Sequence, residues 1–125
     1  MLSTKPNMMF GIFKKLWSKQ THEPLQTALK EGAFLVDVRS YDEFVAGSVS
    51  GATNIPLHQL EKQLAKFKNK RNIIVFCRSG SRSKQAKAIL QSKGLINVYN
   101  GGSYQQVAAV MASAQIQPIT YEKIT

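Results

Sequence analysis

Cys77 is the one cysteine in a chain of 125 residues, and Arg78-Ser79-Gly80-Ser81-Arg82-Ser83 follows it directly. The stretch comes after the apolar run Asn72-Ile73-Ile74-Val75-Phe76 and before a helical pattern. That order predicts a thiol at a strand end, then a Gly/Ser turn, then a helix start. At such a place several backbone N–H groups and the positive helix end converge on one point. A thiolate is stabilised there over the thiol, which lowers the cysteine below its free pKa of about 8.5. The same cradle holds an anion. Gly80 gives the turn a backbone freedom that a side chain would restrict. Ser79, Ser81 and Ser83 can donate hydrogen bonds into the loop or cap the helix. Arg78 is expected to be the exposed charge that meets an anion. Arg82 falls at the helix start, where the dipole disfavours a cation. It is therefore expected to have a carboxylate partner, Asp37 or Glu43, or a bound anion.

The elements that must hold this loop alternate along the chain. Residues 24–31 read as a short helix with Pro24 early and Gly32 as its stop. Residues 34–39 read as a buried strand ending in the charges Asp37 and Arg39. Ser40 caps a short helix through Phe44, with Glu43 placed for a capping box. After the loop Gly47–Gly51, residues 52–55 predict a short strand ended by Pro56. Apolar residues at 57, 60, 64 and 67 have helical spacing. Residues 72–76 are the central strand, and 82–93 a helix with Ala86, Ile89 and Leu90 inward and Gly94 beyond its end. Residues 95–99 predict another strand, and Gly101-Gly102 the opening of a last helix through about Ser113. The tail, with Pro118, is expected to add an extended segment. Strands alternating with helices predict an α/β domain with a mostly parallel sheet. Ligand sites in such sheets lie beyond the strand C-termini, where Cys77 and Arg39 both fall.

Composition narrows the partners. The net charge is +10, and from Lys62 to Lys93 there are ten Lys/Arg and no Asp or Glu. Such a field concentrates anions. Nucleic acid is not expected, because stacking aromatics do not interleave these charges and Phe67 and Phe76 read as core. A lone cysteine forms no internal disulfide, so nothing requires an oxidising compartment. His22 and His58 sit in no ligand-spaced pattern, and no metal or cofactor is expected. No apolar run approaches the ~20 residues of a membrane span. Residues 1–21 are expected to form an extension, with a short amphipathic basic stretch around Met8–Trp17. It lacks the order of a secretory signal. Packing on the domain or a partner is expected for it ahead of membrane contact. The domain itself is expected over 22–113, followed by a tail over 114–125, and a cytoplasmic location is expected.

Three stretches together resemble the rhodanese (sulfurtransferase) family in its single-domain form. Asp37-Val38-Arg39 with Glu43-Phe44, continuing into Gly47-Ser48-Val49-Ser50-Gly51-Ala52-Thr53-Asn54-Ile55-Pro56, is similar to its first signature. Phe76-Cys77-Arg78-Ser79-Gly80-Ser81-Arg82-Ser83 is similar to its active-site loop, and Gly101-Gly102 to the start of its last helix. The resemblance covers roughly 22–113 and implies a three-layer α/β domain, with a central, mostly parallel sheet of about five strands and helices on both faces. It implies that Cys77 attacks the outer sulfur of a donor such as thiosulfate and becomes a persulfide. A second nucleophile then takes the sulfur: cyanide in the test tube, a thiol or a protein in the cell. Ping-pong kinetics would follow. The resemblance gives Arg78 to Ser83 to the active-site loop, and Asp37, Arg39 and Glu43 to its support rather than to catalysis. Cys-x4-Arg counts six residues, as in sulfur-handling members; phosphatases and arsenate reductases have seven, to admit a tetrahedral oxyanion. Ser48 stands where the family often has His, and Gln106 where it often has Trp, with Tyr104 as the nearby aromatic. His58 reads as a surface or rim residue, and neither histidine fits a general base for Cys77. The implied partners are a small anionic sulfur donor and a thiol or protein acceptor. An alternative is a persulfide carrier that delivers sulfur to a partner protein.

Overall fold

The computed structural model describes residues 23–119. Its frame is a four-stranded parallel sheet. The strands are β1 (Phe34–Asp37), β2 (Thr53–Asn54), β3 (Ile73–Cys77) and β4 (Val98–Ser103), in the order β2-β1-β3-β4. The helices are α1 (23–31), α2 (Tyr41–Ala46), α3 (Ser81–Ser92) and α4 (Tyr104–Ser113), with a 3₁₀ segment over Leu57–Phe67. Buried on both faces, β3 is a continuous apolar run and β1 is one up to its last residue, Asp37, as central parallel strands should be. Side chains alternate between the faces. Phe34, Val36, Val38, Ile73, Val75 and Cys77 meet Leu60, Phe67, Ala86 and Leu90 of the 3₁₀ segment and α3. Leu35, Ile74 and Phe76 meet Leu25, Ala28 and Leu29 of α1 and Val107 and Met111 of α4.

The α/β prediction and both helix layers hold, with three differences. First, the sheet has four strands among the described residues, not about five. Residues 116–119, expected to be extended, pair with no strand, and Pro118 there has no N–H to give to a ladder. Ile116 instead packs on the core of α1 and α4. Second, the 57–67 segment is 3₁₀ in two pieces, broken at Gln63, whose φ is −121°. With three residues per turn, Leu57 aligns with Leu60 and Leu64 with Phe67. The break absorbs the four-residue step between the two pairs. Third, Gly101-Gly102 does not open a helix. Val75 pairs with Asn100 and Phe76 with Gly102, so Gly101 is the extra residue of a bulge in β4. A Cβ at Gly101 would lie 2.7 Å from Val107 Cγ2 and 3.0 Å from Ile74 Cγ2, so the bulge lets α4 close on the sheet. Ser103 opens α4 instead, its hydroxyl accepting the Gln106 N–H at 3.0 Å. The expectations for 1–21 and for the end of the tail lie outside the described residues.

The chain leaves β1 toward β2 on one side and β3 toward β4 on the other. The C-terminal ends of β1 and β3 therefore flank the switch point where doubly wound sheets bind ligands.

Candidate active site

Cys77 closes β3 at this switch point and points to the α3 face. The chain then turns through Gly80, which takes φ +96° as the N-cap of α3. L-residues rarely adopt that conformation, so glycine is required by the turn. The turn aims the Gly80 N–H at Cys77 Sγ, 3.0 Å away. Ser83 Oγ lies 3.5 Å from the same sulfur. Burial pushes the thiol up, but hydrogen bonds from the Ser83 hydroxyl and the backbone N–H groups of Ser83, Ser79 and Gly80 outweigh it. The thiol settles at about 7, well below a free cysteine. Half of it is thiolate near neutrality, and the groups that lower it are the Ser83 hydroxyl and the loop N–H groups, with no histidine among them.

A second polar layer holds the cradle. The single Ser83 hydroxyl proton has two acceptors in reach, Asn100 Oδ1 at 2.7 Å and, once the sulfur is a thiolate, Cys77 Sγ at 3.5 Å. Gly102 N–H donates to the same Asn100 oxygen at 2.9 Å, and Asn100 Nδ2 donates to the Gly80 carbonyl at 3.3 Å. The β4 bulge thus grips both the turn and the first helical residues. Sequence reasoning missed Asn100. The available signal was a polar residue at a strand's C-terminal end beside Gly-Gly.

Arg82 takes Glu43 as its partner, not Asp37, through a forked pair at 2.7 and 3.0 Å. Glu43 also completes the predicted capping box with Ser40. Chiefly the Arg82 guanidinium, helped by Ser40 against some burial, holds the Glu43 carboxyl down to about 2. The pair ties α2 to the first turn of α3 and offsets the cation at that helix start. Asp37 and Arg39 form a separate network. Asp37 has no exposure and accepts from Arg39 N, Nε and Nη2 and from Ser48 Oγ. Arg39 Nη2 also donates to the Gly47 carbonyl at 2.6 Å, and the guanidinium lies 4.0 Å over the Tyr104 ring. By strand alternation Asp37 points away from Cys77. The three expected supports thus divide: Glu43 braces the Cys77 loop, while Asp37 and Arg39 fasten residues 47–48 and the start of α4. Arg78, Ser79 and Ser81 are exposed, as expected of Arg78.

Beside the loop is a groove of about 500 Å³ between the 3₁₀ segment and α3. Val38, Pro56, Leu57 and Ile89 give it an apolar floor, and Arg82 and His58 stand among its walls. No group of His, Cys, Asp or Glu able to hold a metal occurs among the described residues. No helix among them is long and apolar enough to cross a membrane.

A family model described as the rhodanese-like domain matches residues 21–109. A sulfurtransferase of Allochromatium vinosum is 34% identical over 70 residues, covering 56% of this chain and 65% of that protein. The thiosulfate sulfurtransferase PspE of Escherichia coli is 35% identical over 75 residues, covering 58% of this chain and 72% of that one. The chain thus spans about two thirds of the length of these curated relatives. A solved rhodanese from E. coli with bound anions superposes with a TM-score of 0.57 at 33% identity, over 62% of this chain and 93% of that one. The family match runs through every element that builds the cradle, from α1 into α4, and on that ground this chain belongs to the rhodanese-like domain family.

Proposed function

We propose that the protein is a sulfurtransferase that moves sulfane sulfur from thiosulfate, or a similar dianionic donor, to a thiophilic acceptor through a Cys77 persulfide. The observation that carries this reading is the thiol at about 7 with the Gly80 N–H at 3.0 Å, inside a six-residue Cys-x4-Arg loop. The Cys77 thiolate attacks the outer sulfur of the donor. A new S–S bond forms, the donor's own S–S bond breaks, and sulfite leaves with the electron pair. The terminal sulfur of the persulfide carries the negative charge, and the loop N–H groups that favoured the thiolate can stabilise it. An acceptor nucleophile then bonds to that sulfur and returns the thiolate to Cys77. Arg78 meets the incoming dianion, and Arg82 holds the loop through Glu43. The six-residue ring leaves less room for a tetrahedral oxyanion, which argues against phosphatase or arsenate chemistry.

The test is intact mass after thiosulfate alone, followed by thiocyanate formation with cyanide, on wild type and Cys77→Ser. Gain of one sulfur in wild type, none in Cys77→Ser, and Cys77-dependent turnover are expected. Turnover retained in Cys77→Ser removes the persulfide reading. Loading without turnover gives the carrier form of the same chemistry, in which only the acceptor differs.

A further inference from the structure

The two faces of the sheet differ in charge. The 3₁₀ segment and α3 cover the face to which Cys77 points. They carry Lys62, Lys66, Arg82, Lys84 and Lys87 against one acid, Glu61. Helices α1 and α4, on the opposite face, carry Lys30 against Glu23 and Glu31. Arg82 is neutralised by Glu43, and Glu61 by Lys93 at 3.4 Å. Among the described residues none of Lys62, Lys66, Lys84 and Lys87 pairs with an acid. Lys62, Lys66 and Lys84 are exposed. Of the two helix layers, only the one on the Cys77 face thus carries an excess of positive charge.

That face also holds the groove of about 500 Å³, whose floor is apolar and whose wall includes Arg82 of the Cys77 loop. A small dianionic donor needs positive charge and N–H groups, and gains nothing from Val38, Pro56, Leu57 and Ile89. A polypeptide can use both features at once. Nucleic acid would use the lysines but not the apolar floor. The large exposed apolar side chains of the described residues, Tyr41, Val45, Ile96 and Ile119, all lie off the 3₁₀ segment and α3, so no stacking platform accompanies the charge.

We infer that the face formed by the 3₁₀ segment and α3 docks an acidic protein segment that carries the sulfur-accepting thiol, with carboxylates over the lysines and an apolar side chain in the groove beside Arg82. This rests on the persulfide reading of Cys77 and supplies its acceptor. Complementary charge raises the encounter rate, and the groove sets which thiol reaches the sulfur.

The test uses the full chain and two peptides of equal length, each with one cysteine and one leucine: one rich in Glu, one rich in Lys. Sulfur transfer from the thiosulfate-loaded protein is followed in a single turnover at low and high NaCl. A fluorescent, cysteine-free form of the Glu peptide reports docking by anisotropy, with no sulfur involved. The Glu peptide is expected to react at least about tenfold faster than the Lys peptide at low salt. The advantage should shrink as the Debye length falls below about 10 Å. Lys66→Glu and Lys87→Glu should each weaken both transfer to the Glu peptide and its binding by about threefold or more, with loading by thiosulfate unchanged. Lys30→Glu, the same charge change on the opposite face, should leave both alone. Equal rates for the two peptides overturn the inference. So does an equal loss in Lys30→Glu, which would make the effect one of net charge alone. Tight, salt-dependent binding of an RNA duplex that Lys66→Glu and Lys87→Glu abolish, with no preference between peptides, would assign the face to nucleic acid instead. Should Cys77 fail to load, the anisotropy measurement still decides the docking face, and only the persulfide reading falls.

Discussion

A fully enclosed carboxylate persists as a charge only where the fold supplies donors, and Asp37 has Arg39 N, Nε and Nη2 and Ser48 Oγ. Arg39 itself is only 4% exposed, so each charge depends on the other. Removing one partner of such a pair strands the other and costs about 3–5 kcal/mol. Asp37→Asn is therefore expected to lower urea stability by about 3–5 kcal/mol, and Ser48→Ala by about 2 kcal/mol, the worth of one hydrogen bond to a charged group. Equal small losses would mean that water reaches Arg39. At Cys77 the balance lies between burial, which favours the thiol, and the hydrogen bonds, which favour the thiolate. Alkylation of Cys77 should rise with pH around a midpoint near 7, because the thiolate is the nucleophile. Ser83→Ala removes a donor that lowers the pKa. The midpoint should move to higher pH, and the rate at pH 7 should fall roughly fivefold. An unmoved midpoint would assign the depression to the backbone N–H groups alone. Much of this site was legible. The order of strand, Cys, Gly/Ser turn and helix, with the spacing of Ser40 and Glu43, names the cradle and the Arg82 partner as one of two acids. Asn100 was not legible, because it reaches Gly80 and Ser83 only through the β4 bulge, which depends on how α4 packs.

Among the elements, β4 does the positioning that the alternating pattern does not reveal. Its bulge at Gly101 offsets the strand by one residue, puts Asn100 over the Cys77 turn and leaves no room for a side chain. Gly101→Ala must push Val107 and Ile74 apart. Overpacking of this kind destabilises by about 1–3 kcal/mol, so thermal unfolding should come several degrees earlier. Because the same offset aims Asn100, the pH midpoint of Cys77 alkylation should move as well. A stability loss with an unchanged midpoint would separate the bulge from the cradle. The strands β1 and β3 and the helices α2 and α3 could be read from apolar runs, a capping box and residues inward at helical spacing. The 3₁₀ segment could not, since positions 57, 60, 64 and 67 suit an α-helix as well as two 3₁₀ pieces with a break at Gln63. The Gly-Gly pair could not either. Glycines that open a helix and glycines that form a bulge leave the same letters, and only the distance to Val107 distinguishes them.

Across the whole molecule, electrostatics works against compactness while burial works for it. The net charge of +10 repels itself in the folded state, and among the described residues the 3₁₀ segment and α3 carry five cations against one acid. Added salt acts on two opposing quantities. It screens that repulsion, which favours folding, and it weakens attractive ion pairs, which disfavours it. The pairs decide which wins. Asp37–Arg39 is buried at 2.7 Å and is screened little. Lys93–Glu61 is exposed at 3.4 Å, where such a pair contributes about 0–1 kcal/mol. Arg82–Glu43 is partly exposed but forked, so its hydrogen-bond geometry outlasts the loss of long-range attraction. The attractive side has little to lose, and the repulsive side has the excess lysines of the 3₁₀ segment and α3 to relieve. Raising NaCl from about 10 mM to about 300 mM, which shortens the Debye length from about 30 Å to under 10 Å, should therefore raise the melting temperature by a few degrees. Lys66→Glu, which removes repulsion at its source, should raise the low-salt melting temperature and reduce the further gain from salt. A melting temperature that falls with NaCl would mean that Arg82–Glu43 and Lys93–Glu61 matter more to folding than the excess charge does.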